Sequence, residues 1–134
     1  MSSAPDATAL DIDLWPKARF ETDAITPLSI LRRQAALLGE MTQHLVEADV
    51  STFVDRNEAA HHFRLVVPAL DNYKYDLFTV FHAIDQLYPV RGYYVGVSTN
   101  KMDDQSAFVQ WLKEVLSSES TLKKIDSLLA QAKG

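Results

Sequence analysis

The sequence predicts an α+β fold in two layers: an N-terminal helix, a four-stranded antiparallel meander, and two C-terminal helices packed on one sheet face. Three observations lead there. Apolar residues recur at three- and four-residue spacing from Leu28 to Leu45 and again from Phe108 to Leu129, the period of helices with one buried face. Between these stretches, residues 50–98 are rich in aromatic and β-branched residues, which suit a pleated, half-buried surface. The breaks within that region, "RNEAA", "ALDNY" and "AIDQL", are too short for the crossovers that parallel strands need.

Residues 1–25 read as an extended or partly disordered arm and residues 26–134 as a single α+β domain. The arm combines small and acidic residues with two prolines and shows no sustained period. Its aromatic residues, Trp15 and Phe20, are large enough to require a partner surface, either the protein's own core or another chain. Thr26-Pro27 then opens a helix. Threonine accepts a hydrogen bond from an otherwise unpaired amide, and proline at the first position lacks the amide that would go unused. The apolar stripe Leu28, Leu31, Ala35, Leu38, Met41 or Thr42, and Leu45 carries this helix from Pro27 to about Ala48. Downstream of the strands, Asp103-Asp104 suits a helix N-terminus ahead of the Phe108, Trp111, Leu112, Val115 stripe. "SSES" then interrupts and recaps a last helix carrying Leu122, Ile125, Leu128 and Leu129.

Composition limits function. A chain of 134 residues buries a sizeable core without staples. Thirteen basic against eighteen acidic residues give a net charge of −5, the wrong field for neutralising phosphates, so no nucleic-acid partner is expected. The absence of cysteine removes disulfides, thiolate metal sites and thiol nucleophiles. With no apolar run of membrane length and no signal-peptide core, the expected setting is cytoplasmic with no membrane partner. The serines lack the Gly-x-Ser-x-Gly setting, and four glycines, Gly39, Gly92, Gly96 and Gly134, cannot build a phosphate-cradling loop. Gly92 and Gly96 mark strand bends or a close approach by another group.

The stretch His61 to His82 holds the residues closest to chemistry. Pairing Val67 with Tyr75, Leu65 with Leu77, Phe63 with Thr79 and His61 with Phe81 gives one continuous apolar face. A one-residue slip would place Lys74 and Asp76 among apolar side chains. That register sets His62, Arg64, Asp76 and His82 on the opposite face, with His62 beside His82, while His61 points away. Two imidazoles suit proton transfer, and a guanidinium suits an anion. Such a set would serve a hydrolase or isomerase of a small anionic substrate. Two histidines do not complete a metal site, and neither His44 nor Asp85 is fixed as a third ligand, so no metal and no cofactor is assigned.

The same register leaves Phe78 and Val80 on the face away from the helices, which is then too apolar for full exposure. With Trp15, Phe20 and the turn residue Tyr73, they form a predicted partner-binding surface. The leading expectation is therefore a protein-interaction or regulatory module without catalytic activity, binding a protein partner or itself. The alternatives are the His62/His82 enzyme and a small-ligand carrier with a cavity between helices and sheet, lined by residues such as Phe63, Leu77 and Trp111.

Overall fold

The computed structural model describes residues 11–16, 20 and 22–134. Arm positions 1–10, 17–19 and 21 lie outside the described residues. The element order is α1 (Pro27–Met41), β1 (Glu47–Asp55), β2 (Glu58–Val67), β3 (Tyr73–Ala83), β4 (Arg91–Tyr94), β5 (Val97–Ser98), α2 (Gln105–Ser117) and α3 (Glu119–Lys133). The strands form one antiparallel sheet in chain order, with the two-residue β5 added to the predicted four. A single core joins Leu31 of α1, Phe108, Leu112 and Val115 of α2 and Leu128 of α3 to the inward residues of β2 and β3. This is the predicted α+β arrangement.

The helix starts follow the sequence signals. Thr26 Oγ1 accepts from the Ser29 amide, and Ser29 Oγ accepts from the Thr26 amide, each at 3.0 Å. Asp104 caps α2 through the Ala107 amide at 2.8 Å, and Ser118 caps α3 through the Thr121 amide at 3.2 Å. The end of α1 does not follow the prediction: the helix stops at Met41 rather than near Ala48. Thr42 Oγ1 donates to the Val46 carbonyl at 2.6 Å and accepts from the Val46 amide at 3.2 Å. Gln43 and His44 turn the chain with φ of 55° and 64°. The tight turn puts Val46 wholly in the core and lets β1 begin at Glu47.

The β2–β3 register also differs from the predicted one. Val67 pairs with Tyr73, Leu65 with Tyr75 and Arg64 with Asp76, but Phe63 pairs with Phe78, His62 with Thr79 and His61 with Val80. A bulge opposite Phe63 and Arg64 inserts Leu77 as an extra residue. Adjacent Leu77 and Phe78 thereby both enter the core. Phe78 stacks on Phe63 at 4.9 Å and meets Trp111 edge-on at 5.5 Å. From Phe78 onward every β3 side chain is on the face opposite to that predicted.

Gly92 is a site of close approach. A Cβ there would lie 2.4 Å from the Trp111 ring, so only glycine lets α2 settle on β4. The β4–β5 turn, by contrast, carries a residue ill suited to it. Val95 takes φ 52° ahead of Gly96 at φ 76°, a conformation that two-residue hairpins usually fill with Asn-Gly, and a β-branched residue is strained there. Val95→Asn is therefore expected to stabilise the protein by about 1 kcal/mol, read as a rise in thermal midpoint. An unchanged or lower midpoint would show that the exposed Val95 side chain makes a compensating contact.

Candidate functional site

The bulge takes apart the cluster read from the sequence. His62 is on the outer sheet face, where Nδ1 lies 2.9 Å from Thr79 Oγ1 and the ring meets Phe53 edge-on. Arg64 and Asp76 are direct cross-strand neighbours, but the guanidinium bonds Asp49 of β1 at 3.2 Å. His82 has moved to the inner face. The set His62, His82, Arg64 and Asp76 is therefore not assembled, because the extra residue reverses the facing of His82 relative to His62.

His82 instead meets His61, the histidine the sequence reading set aside. Their Nε2 atoms are 2.8 Å apart, and His61 Nδ1 lies 2.8 Å from Thr52 Oγ1. The proton positions follow from the ends of this chain. His82 Nδ1 faces two carbonyl oxygens, of Ala83 and Gln86, each at 2.8 Å, so it donates and its Nε2 accepts. His61 Nε2 then donates to His82, and His61 Nδ1 accepts from the Thr52 hydroxyl. His61 is 3% exposed. Burial, then the neighbouring His82, Arg32 and His62 charges, lowers its pKa to about 4. It is thus a neutral, fully bonded core histidine at neutral pH. Among the described residues no three histidine or carboxylate side chains converge on one point; His44 bonds Glu47 at 2.6 Å, and Asp85 lies exposed beyond β3.

The predicted partner surface is likewise redistributed. Phe78 and Val80 are 3% and 0% exposed, so they belong to the core and not to a docking face. The outer sheet face they vacate combines ion pairs, Arg64 with Asp49 and Arg91 with Glu58 at 2.6 Å, with the exposed aromatic side chains Phe53 and Tyr93. Tyr73 is exposed at the start of β3, beside Leu70 and Lys124. Trp15 and Phe20 are 71% and 74% exposed and touch each other edge-on, with ring centroids 5.7 Å apart.

Exposed apolar side chains occur on the sheet, at Phe53, Val54, Tyr93, Val95 and Val97, but an apolar groove lies in the helix layer. α1 packs over β1 and β2, whereas α2 and α3 pack on each other, with Trp111 against β4 and Lys124 over the Tyr75 ring of β3. The two groups of helices do not close over the middle of the sheet. They leave a groove of about 360 Å³ whose floor is Phe63, Leu65 and Leu77 and whose walls include Leu37, Met41, Leu122, Ile125 and Leu129. A second stretch of about 460 Å³, between Ile30 of α1 and Val109 and Leu112 of α2, shares Gln34, Leu116 and Leu122 with the first. Together they form one continuous seam along α1.

Several wall residues face solvent: Met41 is exposed, and so are Leu122 and Val109. On α1 the seam is lined by Ile30, Gln34, Leu37, Leu38 and Met41, one face of a helix at the spacing that marks a buried stripe. The stripe predicted from the periodicity is a different one: its Leu31 and Ala35 are buried in the core, and the open face with Ile30, Gln34 and Leu37 was not predicted. No protein family matches the chain, and no curated protein or solved structure is significantly similar to it.

Proposed function

We propose that the chain is a non-catalytic protein-interaction module, acting in the cytoplasm, whose docking surface is the seam between α1 and the α2–α3 pair. The observation that carries this reading is the seam itself: leucine, isoleucine and methionine walls over a floor of core residues, open to water. Apolar surface of this kind on a small domain marks a place where another apolar surface sits. A groove between helices fits an amphipathic helix or an extended apolar segment. The chain's net charge of −5 favours partners with basic residues flanking that segment.

The test is fluorescence anisotropy with a labelled amphipathic peptide bearing leucines at helical spacing and lysines on its polar face. The full chain is expected to bind it. Leu122→Asp, at a half-exposed wall position, is expected to weaken binding at least about tenfold, or ~1.4 kcal/mol, while Tyr93→Asp on the outer sheet face leaves it unchanged. The opposite pattern would place docking on the sheet face, and binding insensitive to both would remove the seam from the reading.

One observation favours a second reading, a carrier of a small apolar ligand. The groove volume of about 360 Å³ lies in the range of small-molecule sites, and Phe63 and Leu77 form its floor, as the carrier reading expected. Trp111, the third residue expected there, is turned instead toward Gly92 and Phe78.

A further inference from the structure

We infer that the seam has an occupant within the same chain: the N-terminal arm, folded back in cis, with Trp15 and Phe20 seated in the groove over Phe63 and Leu77. The inference rests on the reading of the seam as a docking surface and adds its regulation, since an arm lying in the seam competes with a partner for it.

Three observations point to this pairing. First, the arm joins the body at the seam's mouth. The arm ends at Thr26, α1 begins at Pro27, and Ile30 already lines the seam. Second, the lengths agree. Six residues lie between Phe20 and Pro27, a path of up to about 23 Å when extended, while Ile30 to Met41 along α1 covers about 17 Å. Phe20 and Trp15 therefore reach the deep end of the groove without a second copy. Third, the chemistry matches. Ile12, Leu14, Trp15, Phe20 and Ile25 are all exposed, and the seam offers apolar walls that are themselves exposed.

A tethered arm meets its own groove at an effective concentration in the millimolar range. Occupation in cis therefore precedes pairing between copies at ordinary protein concentrations, and a partner must displace the arm to bind.

The absence of cysteine provides a direct test. Leu122→Cys places a unique thiol on the seam wall, and Met41→Cys provides a second, independent position. The rate of modification by a bulky maleimide is compared in each full-length variant with and without the added changes Trp15→Ser and Phe20→Ser. The strap predicts labelling at least about tenfold faster once the two aromatic residues are removed, with the ratio independent of protein concentration and light scattering reporting a monomer. Equal rates at both positions overturn it. Protection that fades on dilution of a dimeric chain also overturns it, by assigning the arm to a second copy.

The labelled amphipathic peptide separates this inference from the reading beneath it. Peptide binding to the Trp15→Ser, Phe20→Ser chain together with equal thiol rates leaves the docking seam standing and removes the strap. Thiol protection with no peptide binding keeps the strap and removes the partner-docking reading.

Discussion

Phe78→Ala is expected to destabilise the protein by about 3–5 kcal/mol, the usual cost of deleting a buried aromatic side chain. The ring is 3% exposed, stacks on Phe63 and is capped edge-on by Trp111. Deleting it therefore opens a void where β2, β3 and α2 meet, a void that backbone relaxation only partly closes. The result also decides between the two registers. In the regular pairing read from the sequence, Phe78 stands on the outer face, where truncation costs within about 0.5 kcal/mol. Chemical denaturation of the two proteins is sufficient; a small change in midpoint would mean that the bulge at Leu77 is absent.

Acidification from pH 7 to pH 4 is expected to cost about 3 kcal/mol through His61 alone. Its pKa in the folded protein is lowered to about 4 from the ordinary 6.5, and each unit corresponds to about 1.4 kcal/mol. The folded value lies below the unfolded one, so the unfolded chain binds more protons between these pH values. Stability is then fully present above about pH 6.5 and is lost as the pH falls toward 4. The structural cause is burial first and the neighbouring His82 second. A proton added at Nδ1 can be donated to Thr52, but Nε2 faces the Nε2 of His82 at 2.8 Å, and a charge there has little water to solvate it. Carboxylates add their own pH dependence, so the measurement is a difference. Unfolding free energy is followed from pH 7 to pH 4 for the native chain and for His61→Gln, which cannot titrate. The native chain is expected to lose more stability than the variant over that interval, and parallel curves would show that His61 titrates normally.

The helix starts and the meander were legible because they are local. Thr26-Pro27, Asp104 and Ser118 declare their caps within a few residues, and a change of period from 3.6 to 2 marks where the sheet begins. The β2–β3 bulge was not legible. Leu77 and Phe78 are adjacent and both apolar, so the pattern of one strand is consistent with either facing. The choice is made by Phe63 and Trp111, which arrive from other elements. One inserted residue then reversed Phe78, Val80 and His82 together, which is why the predicted partner surface and the predicted imidazole pair failed by the same step. It also explains why His61, assigned inward and dismissed, is the residue that meets His82.

The end of α1 was obscured for a different reason. Leu45 continues the helical spacing, and nothing local shows that Thr42 will instead bond Val46. The seam was hidden for a third reason: amphipathic stripes on Leu31, Leu112 and Leu128 establish that each helix has an apolar face. They do not establish whether neighbouring helices meet over the middle of the sheet. That depends on where Gly92 admits Trp111 and so fixes α2 toward β4, away from α1.

The most direct test of the central claim is a map of backbone amide shifts in the full-length chain on titration with the amphipathic peptide. The largest changes are expected at Leu37 and Met41 of α1 and at Leu122, Ile125 and Leu129 of α3, the two walls of the seam. Changes centred on Phe53, His62 and Tyr93 would instead place the docking surface on the outer face of the sheet and contradict the account.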